Sequence, residues 1–282
     1  MSEIRVVWTI AGYDPSSGAG ITADLKTISS HGLYGVSCIT AITIQNTKGV
    51  RRVEPLASQT VHETLQVLLE DLTPAALKIG MLATSEIVST VADFLAALPS
   101  DVCPVVLDPV LRSSSGMPLL DKAGVELLRR RLLPLATVVT PNRQEASLLT
   151  GLPMDEPEAM ASALRQLGAQ AAVVTGGDPL LAAEDARADD IRMDDARADD
   201  TLAYDMRGTE LVETLSAPRI LSRATHGTGC AFSTAITCGL AQGQSIPRAV
   251  TAAKAFVHRA IERAPGLGHG KGPLGLEQAA RE

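Results

Sequence analysis

Thr225-His226-Gly227-Thr228-Gly229-Cys230-Ala231 stands directly before Phe232 to Leu240, an apolar run with helical spacing. Glycines where a helix begins let backbone N–H groups converge on an anion, and the helix dipole adds favourable potential. A phosphoryl group in transfer spreads negative charge over its oxygens. A cradle of Gly227, Thr228 and Gly229 suits that transition state. Cys230 falls in the first helical turn, where a thiol pKa is expected to drop, and could accept the proton of a substrate hydroxyl. The same residues also suit a plain tight turn beside a small buried cysteine.

A second glycine-bearing loop, Ala11-Gly12-Tyr13-Asp14-Pro15-Ser16-Ser17-Gly18-Ala19-Gly20, lies between an apolar run and a helical segment. No Gly-Lys-Ser/Thr ends it and it is not GxGxxG, which excludes P-loop chemistry. Backbone at Gly12 could still approach a small ligand closely. Asp24, one turn into the helix, could face that ligand or simply complement the helix dipole. Asp108 closes Val105-Val106-Leu107, and Glu145 follows Thr140-Pro141-Asn142. Two carboxylates with an asparagine could hold Mg²⁺ through its waters. Strand capping and a helix's first turn explain the same two acids. Gln45 and Asn46 end an apolar run, and a primary amide matches the ring nitrogen and amine of an aminopyrimidine. Turn formation suits Asn46 equally. Gly176-Gly177 fits an adenine nucleotide or an ordinary turn.

The elements that must position these residues alternate. Short apolar runs at Val6 to Ile10, Val36 to Ile44, Val105 to Leu107, Thr137 to Thr140 and Ala171 to Thr175 read as buried strands. Helical spacing runs through Ile21 to Ser30, Val61 to Leu72, Glu86 to Leu98 and Lys122 to Leu132. It continues at Glu158 to Leu167, Gly229 to Ala241 and Pro247 to Arg263. This order predicts an α/β fold, a mainly parallel central sheet with helices on both faces, in one domain over residues 1–282. Ligands of such sheets bind at the carboxyl edge.

Composition narrows the function classes. With 45% hydrophobic residues but 2% aromatic, the interior must be Ala, Val, Leu and Ile. No run approaches a membrane span, and the first residues carry no signal-peptide pattern, so the cytoplasm is the expected compartment. A charge of −7 argues against a nucleic-acid surface. Of that charge, −6 falls between Glu184 and Asp205, where Asp185-Ala-Arg-Ala-Asp-Asp190 recurs as Asp195-Ala-Arg-Ala-Asp-Asp200. With almost no apolar face, residues 184–205 read as a solvated loop insertion. Cys38, Cys103, Cys230 and Cys238 form no CxxC pair, which argues for free thiols and against zinc.

In this order the pieces resemble the hydroxymethylpyrimidine/phosphomethylpyrimidine kinase family of thiamine biosynthesis, within the ribokinase-like superfamily. The resemblance runs through Ala11 to Lys26 (AGYDPSSGAGITADLK), Gly35 to Val50 (GVSCITAITIQNTKGV), Lys78 to Leu82 (KIGML) and Val106 to Val110 (VLDPV). It continues through Leu132 to Asn142 (LLPLATVVTPN) and Thr225 to Cys230 (THGTGC). It implies a small lid, a homodimer, and ATP-dependent phosphorylation of 4-amino-5-hydroxymethyl-2-methylpyrimidine and then of its monophosphate. By position, Gln45 would read the pyrimidine, with Gly12, Asp24 and Met81 around it. Asp108 and Glu145 would serve Mg²⁺, and Asn142, Thr175 and Gly177 the nucleotide. Gly227, Thr228 and Gly229 would form the anion hole and Cys230 the base.

The chain departs from the family in having Thr175-Gly176-Gly177-Asp178 where Lys-Gly-Gly-His is common. It also has Ser113-Ser114-Ser115-Gly116 where Ala-Lys-Ser-Gly is frequent. Two phosphate-facing cations are therefore replaced, with Arg112 and Arg143 the candidates to compensate. The loss should fall hardest on the second phosphorylation, whose substrate is already anionic. Two other activities fit the same residues: a pyridoxal kinase of the superfamily, and a pyrimidine-binding regulatory protein without catalysis.

Overall fold

The computed structural model describes residues 4–99, 103–113, 116–176 and 197–279. Among the described residues nine strands form one sheet: β1 (Val6–Tyr13), β2 (Tyr34–Asn46), β3 (Gly49–Pro55), β4 (Ala76–Ile79), β5 (Val105–Leu107), β6 (Val138–Val139), β7 (Ala171–Val174), β8 (Arg197–Met206) and β9 (Thr209–Pro218). Their order is β3-β2-β1-β4-β5-β6-β7-β8-β9. From β2 to β7 every pairing is parallel, while β3, β8 and β9 add antiparallel edges.

Alternation along each strand sends residues to two cores. Trp8, Ile10, Val105, Leu107, Val139, Ala172 and Val174 meet α2 (Ser58–Asp71), α3 (Ser85–Ala97), α5 (Arg143–Thr150) and α6 (Pro157–Gln166). Val106, Val138, Ala171, Val173 and Leu202 face the opposite way, against α7 (Thr228–Ala241), α8 (Ile246–Glu262), α9 (Leu276–Ala279) and Ala23 of α1 (Gly20–Ser30). Both faces are covered, so the central strands are apolar throughout rather than alternating with polar residues. The expected helix over Lys122 to Leu132 is α4 (Lys122–Leu127) followed by a wider π-turn at Leu128–Leu132.

α7 is buried on nearly every side, from Ala231 to Gly239. Its small residues permit this: a Cβ on Gly239 would stand 2.9 Å from Ala249 of α8. Its hydroxyls are satisfied inside, as where Thr237 Oγ1 donates to the Ser233 carbonyl at 2.8 Å.

β2 outruns its neighbour. Its last partner on β1 is Tyr13, opposite Ile42; beyond that Thr43 to Asn46 pair only with β3. This hairpin projects past the carboxyl edge and is the small lid.

Residues 197–205 correct the loop expected there. Arg197 to Asp205 belong to β8, paired with β9. Asp200 tolerates burial because Lys254 Nζ donates to it at 2.6 Å and the Gly176 N–H at 3.0 Å. Asp199 and Arg197 remain at the surface. Residues 184–196 lie outside the described residues.

Candidate active site

The loop after β1 is folded around a single carboxylate. Asp14 Oδ1 accepts from Ser16 N (2.8 Å) and Ser16 Oγ (2.7 Å), and Oδ2 from Gly18 N (3.2 Å) and Ala19 N (2.9 Å). His226 Nε2 lies 2.8 Å from the same Oδ2, which ties the loop to the turn before α7. Burial works to raise the Asp14 pKa, but hydrogen bonds from His226 and Ser16 outweigh it and bring it down to about 2.

Loop and turn touch backbone to backbone. A Cβ on Gly227 would stand 1.9 Å from the Gly18 carbonyl, and φ there is +82°. A Cβ on Gly18 would strike the His226 ring at 2.2 Å, and one on Gly20 the Gly12 carbonyl at 2.2 Å. Gly229 differs. Beyond its chain neighbours and its own helix's backbone, no atom of the described residues lies within 4 Å of its added Cβ. The fold needs glycine at 227, whereas the space over Gly229, at the head of α7, is open to a ligand.

Beneath this turn lies a buried charged cluster. Lys78 Nζ is 2.9 Å from Asp24 Oδ2, and both side chains are 0% exposed. Thr9 Oγ1 donates to Asp24 Oδ2 at 2.6 Å and Thr234 Oγ1 to Oδ1 at 2.8 Å. Asp24 therefore does not surround the substrate as expected. Both its oxygens are engaged inside the core, where it neutralises Lys78. A Cβ on Gly80 would stand 2.7 Å from Lys78 Nζ, so the KIGM stretch needs its glycine to house the ammonium. Burial alone would lower the Lys78 pKa, but Asp24, Cys230 and Asp108 hold it raised.

Cys230 and Asp108 both lie within electrostatic reach of that ammonium. Asp108 accepts from Ser233 Oγ at 3.2 Å. Burial raises its pKa, against the pull of Lys78. The lowered thiol pKa expected from the helix start is not found. Burial, reinforced by Asp108 and Asp24, pushes Cys230 up to about 12 despite Lys78. Loss of water around the thiol is the largest cause, and it outweighs both Lys78 and the helix start.

Gly12 and Met81 are brought together: a Cβ on Gly12 would meet the Met81 sulfur at 3.0 Å. Met81 also packs with Ala41 and Leu119, and its carbonyl accepts from Thr40 Oγ1 at 2.6 Å. Gln45 sits on the lid, half-buried, at a bulge between Ile44 and Gln45. Bulges re-aim side chains next to sites. The lid tip is held from outside. Gly268 and Gly270 pack on Thr47 so closely that a Cβ on either would stand 2.4 Å or less from it. From there the chain reaches Gly272, whose carbonyl accepts from His226 N at 3.2 Å. One segment thus spans from the lid tip to the glycine turn.

Asn142 is the N-cap of α5: its Oδ1 accepts from Glu145 N (2.9 Å), while Glu145 Oε2 accepts from Asn142 N (3.1 Å). Glu145 Oε1 also takes the Leu111 N–H at 3.2 Å, joining the segment after Asp108 to α5. Among the described residues no three His, Cys, Asp or Glu side chains converge as a metal cage. Mg²⁺ needs none, since it takes one or two carboxylates and completes its shell with water and phosphate oxygens. Thr175 bridges to Asn142 at the ends of β7 and β6. Gly177 lies outside the described residues. Arg112 closes its own loop onto the Gly116 carbonyl at 3.3 Å.

The phosphomethylpyrimidine kinase sequence profile matches residues 14–275. A relative named hydroxymethylpyrimidine/phosphomethylpyrimidine kinase, from Haemophilus influenzae, is 40% identical over 276 residues, covering 97% of each chain. The chain belongs to the phosphomethylpyrimidine kinase family. A solved phosphomethylpyrimidine kinase of Clostridium difficile superposes with a TM-score of 0.72 at 36% identity, covering 91% of this chain and 99% of that one. A Bacillus subtilis pyridoxal kinase in an ADP complex gives 0.82 at 34% identity and 99% of both chains. Family membership assigns an α/β phosphotransferase.

Three features of the site escaped the sequence: the Asp14–His226 pair, buried Lys78, and Ser233 on Asp108. Only Lys78 left a local signal, a charge inside the apolar stretch Ala76-Leu77-Lys78-Ile79.

Proposed function

We propose that the chain phosphorylates 4-amino-5-hydroxymethyl-2-methylpyrimidine from ATP, and then its monophosphate to the diphosphate. The observation that carries this is the open backbone at Gly229, on a turn that Asp14 and His226 lock to the loop beside Gly12. Gln45 on the lid reads the aminopyrimidine, and Gly12 and Met81 form the wall beside it. Gly227, Thr228 and Gly229 present N–H groups to the phosphoryl oxygens in flight. The transition state is loose and the proton leaves late, so positioning and charge do most of the work.

The Cys230 thiol starts protonated. It accepts the alcohol's proton as its own passes to the Asp108 carboxylate, whose ionised form Lys78 favours until then. Asn142 and Thr175 take the nucleotide, with Gly177 assigned from the sequence. Glu145 would hold Mg²⁺ through its waters, with Asp108 sharing that shell only before it takes the proton, and the ion would supply charge neutralisation at the phosphates. ATP as donor and a reduced thiol at Cys230 suit the cytoplasm. A homodimer belongs to the same proposal, with Ile42 and Ile44, exposed on β2, as the surface it would cover; light scattering checks the mass.

The likeness to the pyridoxal kinase supports a second reading, since pyridoxal also carries a hydroxymethyl group on a heteroaromatic ring. The test is an ATP- and Mg²⁺-dependent product assay on the pyrimidine alcohol, its monophosphate and pyridoxal side by side. Higher kcat/KM on the pyrimidine supports the proposal. Preference for pyridoxal replaces it, and binding without any product would leave a regulatory protein.

A further inference from the structure

Two guanidinium groups from separate elements close on one glycine at the carboxyl edge of the sheet. Arg219, just after β9, donates from Nη2 to the Gly176 carbonyl at 3.2 Å. Arg143, the first residue of α5, has its Nη2 3.6 Å from where a Cβ on Gly176 would stand. That same Cβ would be 2.2 Å from the Asp199 carbonyl, so only glycine fits between β8 and Arg143. Next to Gly176, Thr175 bridges to Asn142.

Arg143 is poorly served by the protein itself. A cation at the first position of a helix faces the positive end of its dipole. Its Nε is buried and has no hydrogen-bond partner among the described residues. The nearby carboxylates among the described residues are committed: Asp200 to Lys254 and the Gly176 N–H, Glu145 to the backbone of Asn142 and Leu111. An anion placed between the arginines would answer both deficits. A guanidinium presents fixed, forked donors that match phosphate oxygens.

We infer that Arg143 and Arg219 form a clamp for the phosphates of the nucleotide donor. The inference rests on the kinase reading above, and deepens it by naming the cations of its nucleotide site. The clamp sits where β6 and β7 end, beside the Asn142 cap. It grips the polyphosphate, not the base or the alcohol.

The test uses the full chain with Arg143→Met and Arg219→Met, and with Arg143→Lys and Arg219→Lys, which keep charge but lose the fork. Calorimetry reads affinity for ATP, ADP and adenosine; steady-state kinetics reads KM for ATP and for the alcohol. Each Met variant should bind ATP and ADP about 10- to 30-fold more weakly, as expected for one charge-assisted contact. Adenosine affinity and the alcohol KM should stay within about twofold. The Lys variants should fall between, and they carry the test if a Met variant does not fold. ATP affinity within about twofold of wild type in the folded variants overturns the clamp, as does an equal loss for adenosine. Wild-type protein that binds ATP but transfers no phosphate overturns the kinase reading instead, and the affinities still decide the clamp.

Discussion

Replacing Lys78 by methionine tests the buried cluster most directly. The ammonium and the Asp24 carboxylate are both fully buried at 2.9 Å. Lys78→Met would leave Asp24 with only the Thr9 and Thr234 hydroxyls, at 2.6 and 2.8 Å. Breaking a buried pair by removing one partner costs about 3–5 kcal/mol, because the other charge stays desolvated. Asp24→Asn should cost a similar amount. Removing both charges should not cost the sum, since a neutral pair carries no stranded ion. The double variant should therefore be more stable than additivity predicts by at least about 2 kcal/mol, read from urea midpoints at pH 7. Turnover should behave differently. Lys78 is the cation that opposes the upward push on Asp108 and Cys230. The double variant should recover stability and still lose kcat. Additive stabilities would show that the ammonium and carboxylate do not depend on one another. Recovery of kcat along with stability would show that Lys78 has no electrostatic part in the reaction.

Three further outcomes follow from the same geometry. Gly227→Ala should destabilise the protein by about 2 kcal/mol or more, from positive φ and the contact with Gly18, whereas Gly229→Ala should leave the melting temperature unchanged or higher and cut kcat. A stable Gly229→Ala enzyme with full activity would remove the phosphoryl cradle. Alkylation of Cys230 by iodoacetamide, mapped by mass spectrometry, should be slow at pH 7 and rise about tenfold per pH unit with no plateau below pH 10, as a thiol pushed up to about 12 requires. The depressed Asp14 pKa contributes stability that is fully present above about pH 4 and lost as pH falls toward 2; Asp14→Asn should cost about 2 kcal/mol at pH 6 to 7, and the gap to wild type in urea titrations should narrow below pH 4.

How far the sequence carried depended on whether a residue's environment was local. Strands β1, β2, β5, β6 and β7 were legible because parallel strands buried on both faces are short apolar runs. β3 reads Gly-Val-Arg-Arg-Val-Glu-Pro, and β8 begins Arg-Ala-Asp-Asp. β3 is an edge strand with exposed polar residues, and β8, next to last in the sheet, is exposed at both its ends, so no periodicity marked them. The glycines of the cradle were legible because the constraint on them is backbone geometry. Asp14 and His226, 212 residues apart, were not paired, because nothing near either one announces the other.

Asp24 is the instructive error, because its burial was readable. Ile21, Asp24 and Ile28 fall at helical spacing on one side of α1, and all three are buried. A carboxylate on the apolar stripe of a helix cannot stay charged without a partner. Lys78, a cation inside a four-residue apolar strand, poses the complementary problem. Each charge is improbable alone, and each is resolved by the other. The pair can therefore be inferred before any coordinates, by matching buried charges of opposite sign instead of assigning each to the nearest ligand. Cys230 follows the same logic from the other direction: a helix start lowers a thiol's pKa only while the thiol keeps its water, and Cys230 is raised first by burial and then by Asp108 and Asp24.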